Sequence, residues 1–233
     1  MVIEMSKRIA IITARGGSKR IPKKNIKEFC GKPIIIYSIE AAITSGLFDE
    51  VMVSTDDVAI ADIARGAGAK VPFLRSGENA SDFATTADVI MEVLDEYSKL
   101  GKDFDIATCI YPTAPFISAD TLGKAISILE NAECESVLPI VAFSFPPQRG
   151  LVIKEDRCHP KYPENMEKRS QDLEKMYHDA GQFYVLRVTS FSKKKKLVMD
   201  NTYPLILSEM QVQDIDTEED WKIAELKYRL NLE

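Results

Sequence analysis

Residues Ile9 to Asn25 read Ile-Ala-Ile-Ile-Thr-Ala-Arg-Gly-Gly-Ser-Lys-Arg-Ile-Pro-Lys-Lys-Asn, and no other stretch constrains the fold as strongly. Ile9–Ile12 is a short apolar run of the kind that forms a strand buried on both faces. It empties directly into a loop with Gly16 and Gly17 beside Arg15, Lys19, Arg20, Lys23 and Lys24. The glycines let the backbone turn sharply and bring bare amides close to a ligand. Five cations between positions 15 and 24 call for a polyanion, and a nucleoside triphosphate is the simplest candidate. The competing reading is a solvated basic loop. Paired glycines straight after a buried strand weigh against it.

Two familiar phosphate motifs are absent. The P-loop needs Gly, four residues, then Gly-Lys-Ser/Thr opening a helix. Here Gly17-Ser18-Lys19 is followed by Arg20-Ile21-Pro22, and Pro22 rejects helix at that point. The Gly-x-Gly-x-x-Gly dinucleotide fingerprint is missing as well.

Arg15-Gly16-Gly17-Ser18-Lys19, continuing through Pro22, Lys24 and Asn25 to Gly31-Lys32-Pro33, resembles the N-terminal signature of the acylneuraminate cytidylyltransferases. These are CMP-sugar synthetases acting on nonulosonic acids. The resemblance implies one α/β nucleotidyltransferase domain over residues 1–233 that binds CTP on this loop. In that reading Ala14, Arg15, Gly16, Gly17, Ser18 and Lys19 hold the triphosphate, and Asn25 helps recognise the nucleotide. Most sialic-acid members carry Gly where this chain has Arg20.

The whole chain agrees with one soluble domain. It has 233 residues, 45% hydrophobic and 28% charged, enough to bury a core. A net charge of −6 argues against a general nucleic-acid binder, so the basic character is local to the loop. No apolar run approaches the roughly 20 residues of a membrane span. Residues 1–7 hold no secretory apolar region, and Met5 is an alternative start. Cys30, Cys109, Cys134 and Cys158 are scattered without a Cys-x-x-Cys pair, which predicts free thiols in a reducing cytoplasm.

Apolar runs alternate with helical spacing along the chain. Strands are predicted at 9–12, 51–53, 105–111, 137–141 and 183–186, and helices at 33–44, 58–67, 84–100, 119–131 and 218–230. This alternation predicts an α/β fold, Rossmann-like, with a mainly parallel sheet and helices on both faces. From Phe143 to Glu174 no period persists. Relatives use this region as an arm on a second subunit, so the resemblance implies a homodimer with an excursion over about residues 143–175.

Several further stations carry candidate chemistry. Asp56 and Asp57 end a strand and either approach the nucleotide or metal or, the preferred reading, belong to a helix start capped by Thr55 or Asp56. By resemblance Arg75 faces the cytosine nucleotide, and Thr85 or Thr86 touches base or ribose; either threonine could equally start the following helix. Tyr111-Pro112-Thr113 ends a buried strand where sialic-acid synthetases have Gln in place of Tyr111. That departure predicts a different sugar pocket.

Arg169 and Gln171 precede Tyr177-His178-Asp179-Ala180-Gly181-Gln182-Phe183-Tyr184, which resembles the pseudaminic acid branch of the family. His178, Asp179 and Gln182 are its candidate sugar ligands. Asp214 and Asp216 flank Ile215, so in extended chain both carboxylates share one face. A hard carboxylate pair suits Mg²⁺ (or Mn²⁺), and the same Asp-x-Asp carries metal in the family. Asp216 or Thr217 can also cap the last helix, with Asp220 completing a capping box. Lys193–Lys196 reads as a surface loop.

The combined expectation is a CTP-dependent transfer of CMP to a nonulosonic acid. Arg15 and Lys19 would stabilise the leaving pyrophosphate, and Asp214 and Asp216 would hold the metal. Tyr111 and the 178–183 segment favour pseudaminic acid over N-acetylneuraminic, legionaminic or 3-deoxy-manno-octulosonic acid. A non-catalytic nucleotide-binding regulator is the alternative from another class. No membrane partner is expected.

Overall fold

The computed structural model describes residues 6–231, so the alternative start at Met5 lies outside it. In chain order the elements are β1 (Arg8–Thr13), β2 (Glu28–Phe29), β3 (Lys32–Pro33), α1 (Ile34–Thr44), β4 (Glu50–Ser54), α2 (Val58–Gly66) and α3 (Thr86–Lys99). They continue with β5 (Ile106–Ile110), α4 (Ala119–Asn131), β6 (Ser136–Ala142), β7 (Leu151–Lys154), β8 (Arg157–Pro160) and β9 (Tyr177–Asp179). The chain closes with β10 (Phe183–Arg187), α5 (Val188–Lys194), β11 (Thr202–Leu207) and α6 (Glu218–Leu230).

The central sheet runs β11-β6-β10-β5-β1-β4, with β9 added beside β6. β1 pairs in parallel with β4 and β5, and β11 in parallel with β6, while β9 and β10 run antiparallel to their neighbours. Five of the seven strands therefore share one direction, as the predicted mainly parallel sheet requires.

β1 shows why the sheet is covered on both sides. Its residues alternate faces. Ala10 and Ile12 join a core with α1, α2 and α4, through Ile39, Ala61 and Ile126. Ile9 and Ile11 join a second core with α3 and α5, through Ile90, Tyr97 and Phe191. A third cluster lies off the sheet. There Phe29 and Ile34 pack with Ile215, Trp221 and Ala224, docking α6 on the β2–β3 hairpin. Phe29 and Trp221 stand edge to face with centroids 5.6 Å apart, and Lys27 Nζ lies 4.5 Å above the indole.

Several elements escaped the sequence reading. β11 contains Pro204, which argues against a central strand, and it lies at the sheet edge where proline is tolerated. The lysine run is not wholly loop: Lys193 and Lys194 form the last turn of α5, and Lys195 caps it at φ 50°. That helix begins Val-Thr-Ser-Phe-Ser, residues of modest helix propensity, so no periodic signal marked it. The 143–175 region holds the β7–β8 hairpin, turned by Glu155 and Asp156 at φ 49° and 59°. It pairs only with itself. Among the described residues no helix is long and apolar enough to cross a membrane, and all four cysteines are free thiols.

Trp221 is 3% exposed and is the only tryptophan. Trp221→Phe should be tolerated, whereas Trp221→Ala is expected to cost about 3–5 kcal/mol of stability, read as a lower urea midpoint by circular dichroism.

Candidate active site at the carboxyl end of the sheet

The loop after β1 is held from below by the neighbouring strand end. Ala14 N–H donates to the Ser54 carbonyl at 3.0 Å. Gly16 N–H donates to Asp56 Oδ1 at 2.9 Å. A Cβ on Gly16 would come within 2.9 Å of Asp57 Oδ2 and 3.0 Å of Asp57 Cβ, so any larger residue would have to push the Asp57 side chain aside. The cap of α2 is Asp57, not Thr55 or Asp56: its carboxylate accepts from the amides of Ala59 and Ile60 at 2.7 and 3.1 Å. Asp56 is freed for the loop. Ser18 N–H donates to the Gly16 carbonyl at 2.9 Å, closing a tight turn. Asn25, 6% exposed, donates from Nδ2 to the Arg15 carbonyl at 2.8 Å.

Above this loop lies a cleft in two halves. One half, about 380 Å³, is lined by Arg15, Ser18, Lys19, Arg20, Lys24, Asn25 and Thr113. The other, about 240 Å³, is lined by Arg75, Ser81, Asp82, Thr85 and Thr86. Thr13, Arg15 and Tyr111 border both. A larger hollow of about 520 Å³ lies along α3, but Glu78, Glu92, Asp95 and Glu96 line it and would repel a triphosphate.

Arg75 is buried, against the default for a lone arginine. Its Nε donates to Ser54 Oγ at 3.0 Å and its Nη2 to the Ser54 carbonyl at 2.6 Å. Burial draws its pKa down, and Asp56 and Glu92 oppose that shift. Arg15 Nη1 reaches Asp82 Oδ1 at 2.9 Å, and Lys19 Nζ reaches Asp82 Oδ2 at 2.5 Å. Thr85 caps α3: Asp88 N–H donates to its hydroxyl at 3.2 Å, and Asp88 Oδ2 accepts from Thr85 N–H at 2.9 Å.

Tyr111 is fixed by its main chain, which donates to the Gln182 carbonyl at 2.8 Å and accepts from Ser38 Oγ at 2.8 Å. Its ring meets Tyr184 edge to face at 5.7 Å. Burial raises the pKa of Tyr111. Tyr184 donates to Asp179 Oδ2, and Asp179 Oδ1 accepts from Gly181 N–H at 2.8 Å. Both oxygens of Asp179 are thereby engaged.

Other predicted sugar ligands stand away from the cleft of this chain. Gln182, 2% exposed, donates to the Gln211 carbonyl and braces the segment before α6. The His178 ring lies 4.8 Å from Phe143, with Nδ1 2.8 Å from the Asp179 carbonyl. Arg169 pairs with Asp172 at 2.7 Å, and Gln171 lines a separate hollow in the arm.

Asp214 and Asp216 flank the buried Ile215, as the alternation predicted. Asp216 Oδ2 meets Arg20 at 2.7 Å, and its Oδ1 lies 3.7 Å from Lys24. Lys24 Nζ also donates to the Ile215 carbonyl at 2.7 Å. Asp214 makes no ion pair among the described residues, and burial followed by the charge of Asp216 pushes its pKa up. A half-covered carboxylate with an acidic neighbour, no ion pair and only the more distant charge of Lys24 to oppose the shift fits a hard divalent cation. Among the described residues no third Asp, Glu, His or Cys joins the pair. A metal here would complete its shell with substrate oxygens and water, as Mg²⁺ does. The cap of α6 is Thr217, with Asp220 reciprocating at 2.8 Å.

Sequence reasoning missed Asp56 as the loop's clamp, and it missed Asp82 and Tyr184. Each acts across strands or loops far apart in the chain, where no local spacing reports it.

A strand-end cationic loop on a mainly parallel sheet, facing a carboxylate pair, is a nucleotidyltransferase arrangement. The fold is shared with the CTP complex of CMP-2-keto-3-deoxy-manno-octonic acid synthetase, at TM-score 0.71 and 18% identity over 97% of this chain and 100% of that one. The cytidylyltransferase family profile matches residues 9–226, and the chain belongs to that family. It is 37% identical to the pseudaminic acid cytidylyltransferase of Campylobacter jejuni, over 97% of this chain and 98% of that protein. It is 32% identical to the CMP-N,N'-diacetyllegionaminic acid synthase of Legionella pneumophila, over 97% of each.

The raised pKa of Asp214 sets a sign. Its folded value lies above the unfolded value of about 3.9, so folding disfavours the charged form. The penalty is full above the folded value and vanishes below the unfolded one. In chelator, Asp214→Asn is expected to raise the urea midpoint at pH 7, and the gain should shrink as pH falls towards 4.

Proposed function

We propose that the protein transfers CMP from CTP to the anomeric hydroxyl of pseudaminic acid and releases pyrophosphate. The observation that carries this reading is the cleft itself: Arg15, Lys19, Arg20 and Lys24 line one half, and Arg75 and Thr85 line the other. Its two halves suit a triphosphate and a nucleoside. The similarity to the Campylobacter enzyme supports the sugar, and so does Tyr111 in place of the Gln of sialic-acid synthetases.

The anomeric oxygen attacks the α-phosphorus in line and forms the new P–O bond. The bond to the β-phosphate oxygen breaks, and pyrophosphate leaves with its electron pair. The hydroxyl proton passes to solvent. Arg15 and Lys19 neutralise the charge that grows on the leaving group, and positioning supplies much of the remainder. The amides of Ala14, Gly16 and Ser18 are taken up by Ser54, Asp56 and the Gly16 carbonyl, so the loop amides left to hold the nucleotide are those of Arg15, Gly17 and Lys19, beside Asn25, which also fixes the Arg15 carbonyl. Asp214 and Asp216 would hold Mg²⁺ or Mn²⁺, which when bound would neutralise phosphate charge and acidify the attacking hydroxyl.

The domain is proposed to work as a homodimer in the cytoplasm. The β7–β8 hairpin pairs only with itself and exposes Leu151 and Ile153 at 57% and 77%. A second copy is the proposed cover. It would also bring Arg169, Gln171 and His178, which stand off the cleft of their own chain, towards a sugar site. Ile153→Glu is expected to yield monomers in light scattering, and an unchanged dimer mass would refute the arm's role.

Pyrophosphate release with CTP and Mg²⁺ tests the reaction, with pseudaminic, N-acetylneuraminic and di-N-acetyllegionaminic acids offered in parallel. Pseudaminic acid is expected to be strongly preferred. Preference for another acid would overturn the sugar assignment alone. Asp214→Ala is expected to lower kcat about 10²–10³-fold while CTP affinity stays within a few-fold, and full activity in this variant would sink the metal assignment.

A further inference from the structure

The two cations that lead the loop are already paired. One carboxylate, Asp82, spans both: Oδ1 lies 2.9 Å from Arg15 Nη1 and Oδ2 lies 2.5 Å from Lys19 Nζ. Asp82 borders the half of the cleft that also holds Arg75 and Thr85. A planar anion with one oxygen on each cation occupies the place a phosphate group would take.

The segment carrying Asp82 is anchored at both ends and loose between them. Before it, Ser76 N–H donates to Glu92 Oε1 at 2.8 Å, and Asn79 Nδ2 donates to Glu92 Oε2 at 2.9 Å. After it, Thr85 is fixed by the reciprocal cap with Asp88. Asp82, Phe83 and Ala84 donate no backbone hydrogen bond among the described residues. Phe83 stands 95% exposed. Beyond the backbone itself, the polar hold on these three residues is the pair of ion contacts from Asp82.

We propose that Asp82 is a resident anion that the triphosphate of the nucleotide displaces from Arg15 and Lys19, and that it thereby sets nucleotide affinity. This rests on the assignment of the loop to a triphosphate. Arg15, Lys19 and Asp82 are 40%, 75% and 48% exposed in their side chains. Ion pairs this exposed are weak, so a polyphosphate of several negative charges outcompetes one carboxylate. On exchange, the three-residue span is released while both its anchors stay in place. Asp82 acts through Arg15 and Lys19 and is a positioning residue.

The test is calorimetric binding of inorganic triphosphate and of CTP, in chelator, to the parent, Asp82→Asn and Asp82→Glu. Asp82→Asn is expected to bind both ligands about three- to tenfold more tightly, and Asp82→Glu to stay near the parent. In turnover, Asp82→Asn should lower the KM for CTP without raising kcat. Parent-like or weaker affinity in Asp82→Asn, with the parent binding normally, overturns the exchange and leaves the loop assignment standing. Absence of triphosphate binding by the parent overturns both.

Discussion

The parallel pairing of β1 between β4 and β5 is the constraint on which the rest of the structure depends. It buries four consecutive apolar residues on two faces and delivers the chain to the carboxyl edge of the sheet at Thr13. The same pairing brings the end of β4 alongside, so Ser54 and Asp56 can accept the amides of Ala14 and Gly16. A loop of like charges would otherwise repel itself into solvent. Two hydrogen bonds from a neighbouring strand end, and the lack of a side chain at Gly16, hold it in one shape.

Charge balance organises the site above that scaffold. Each strong charge in the cleft has an opposite neighbour: Arg15 and Lys19 have Asp82, Arg20 and Lys24 have Asp216, and Arg75 has the Ser54 oxygen atoms and Asp56 nearby. Asp214 makes no ion pair among the described residues; burial and its acidic neighbour hold its pKa up, and the charge of Lys24 opposes them only in part. Exposed pairs of this kind contribute little to stability. They keep the site compact while leaving its charges exchangeable. The stability of the region comes from apolar packing instead, above all from Trp221 and Phe29 beneath the Asp214–Asp216 segment.

The sequence reading was strongest where a single element carried the signal. The apolar run of β1, the amphipathic spacing of α1–α4 and the alternation at Asp214-Ile215-Asp216 all hold within a few residues. It was weakest where distant segments meet. β11 was hidden by Pro204, and α5 by its Val-Thr-Ser start. The cap of α2 fell one residue beyond the expected position, because Asp56 is drawn off by the Gly16 amide. Asp179 and Gln182 share a motif with His178, yet Asp179 anchors Tyr184 and Gln182 braces the approach to α6. A motif shows which residues travel together; which of them faces a ligand depends on packing partners that lie within the motif, as Tyr184 does for Asp179, or well beyond it, as Gln211 does for Gln182.

By itself the sequence determined the fold class, the cationic strand-end loop and the carboxylate pair, and its motifs resembled those of the family to which the chain belongs. These follow from local apolar periodicity, from glycine's conformational freedom and from residue types at short spacing. Only the tertiary structure decided that Arg75 is buried on Ser54, that Asp82 spans Arg15 and Lys19, and that Arg20 meets Asp216. Those contacts join residues 21, 63 to 67 and 196 positions apart. They exist because the sheet order places β1, β4 and β5 side by side and α6 folds back on the β2–β3 hairpin. No local pattern can encode a partner that the chain reaches only after the whole sheet has closed.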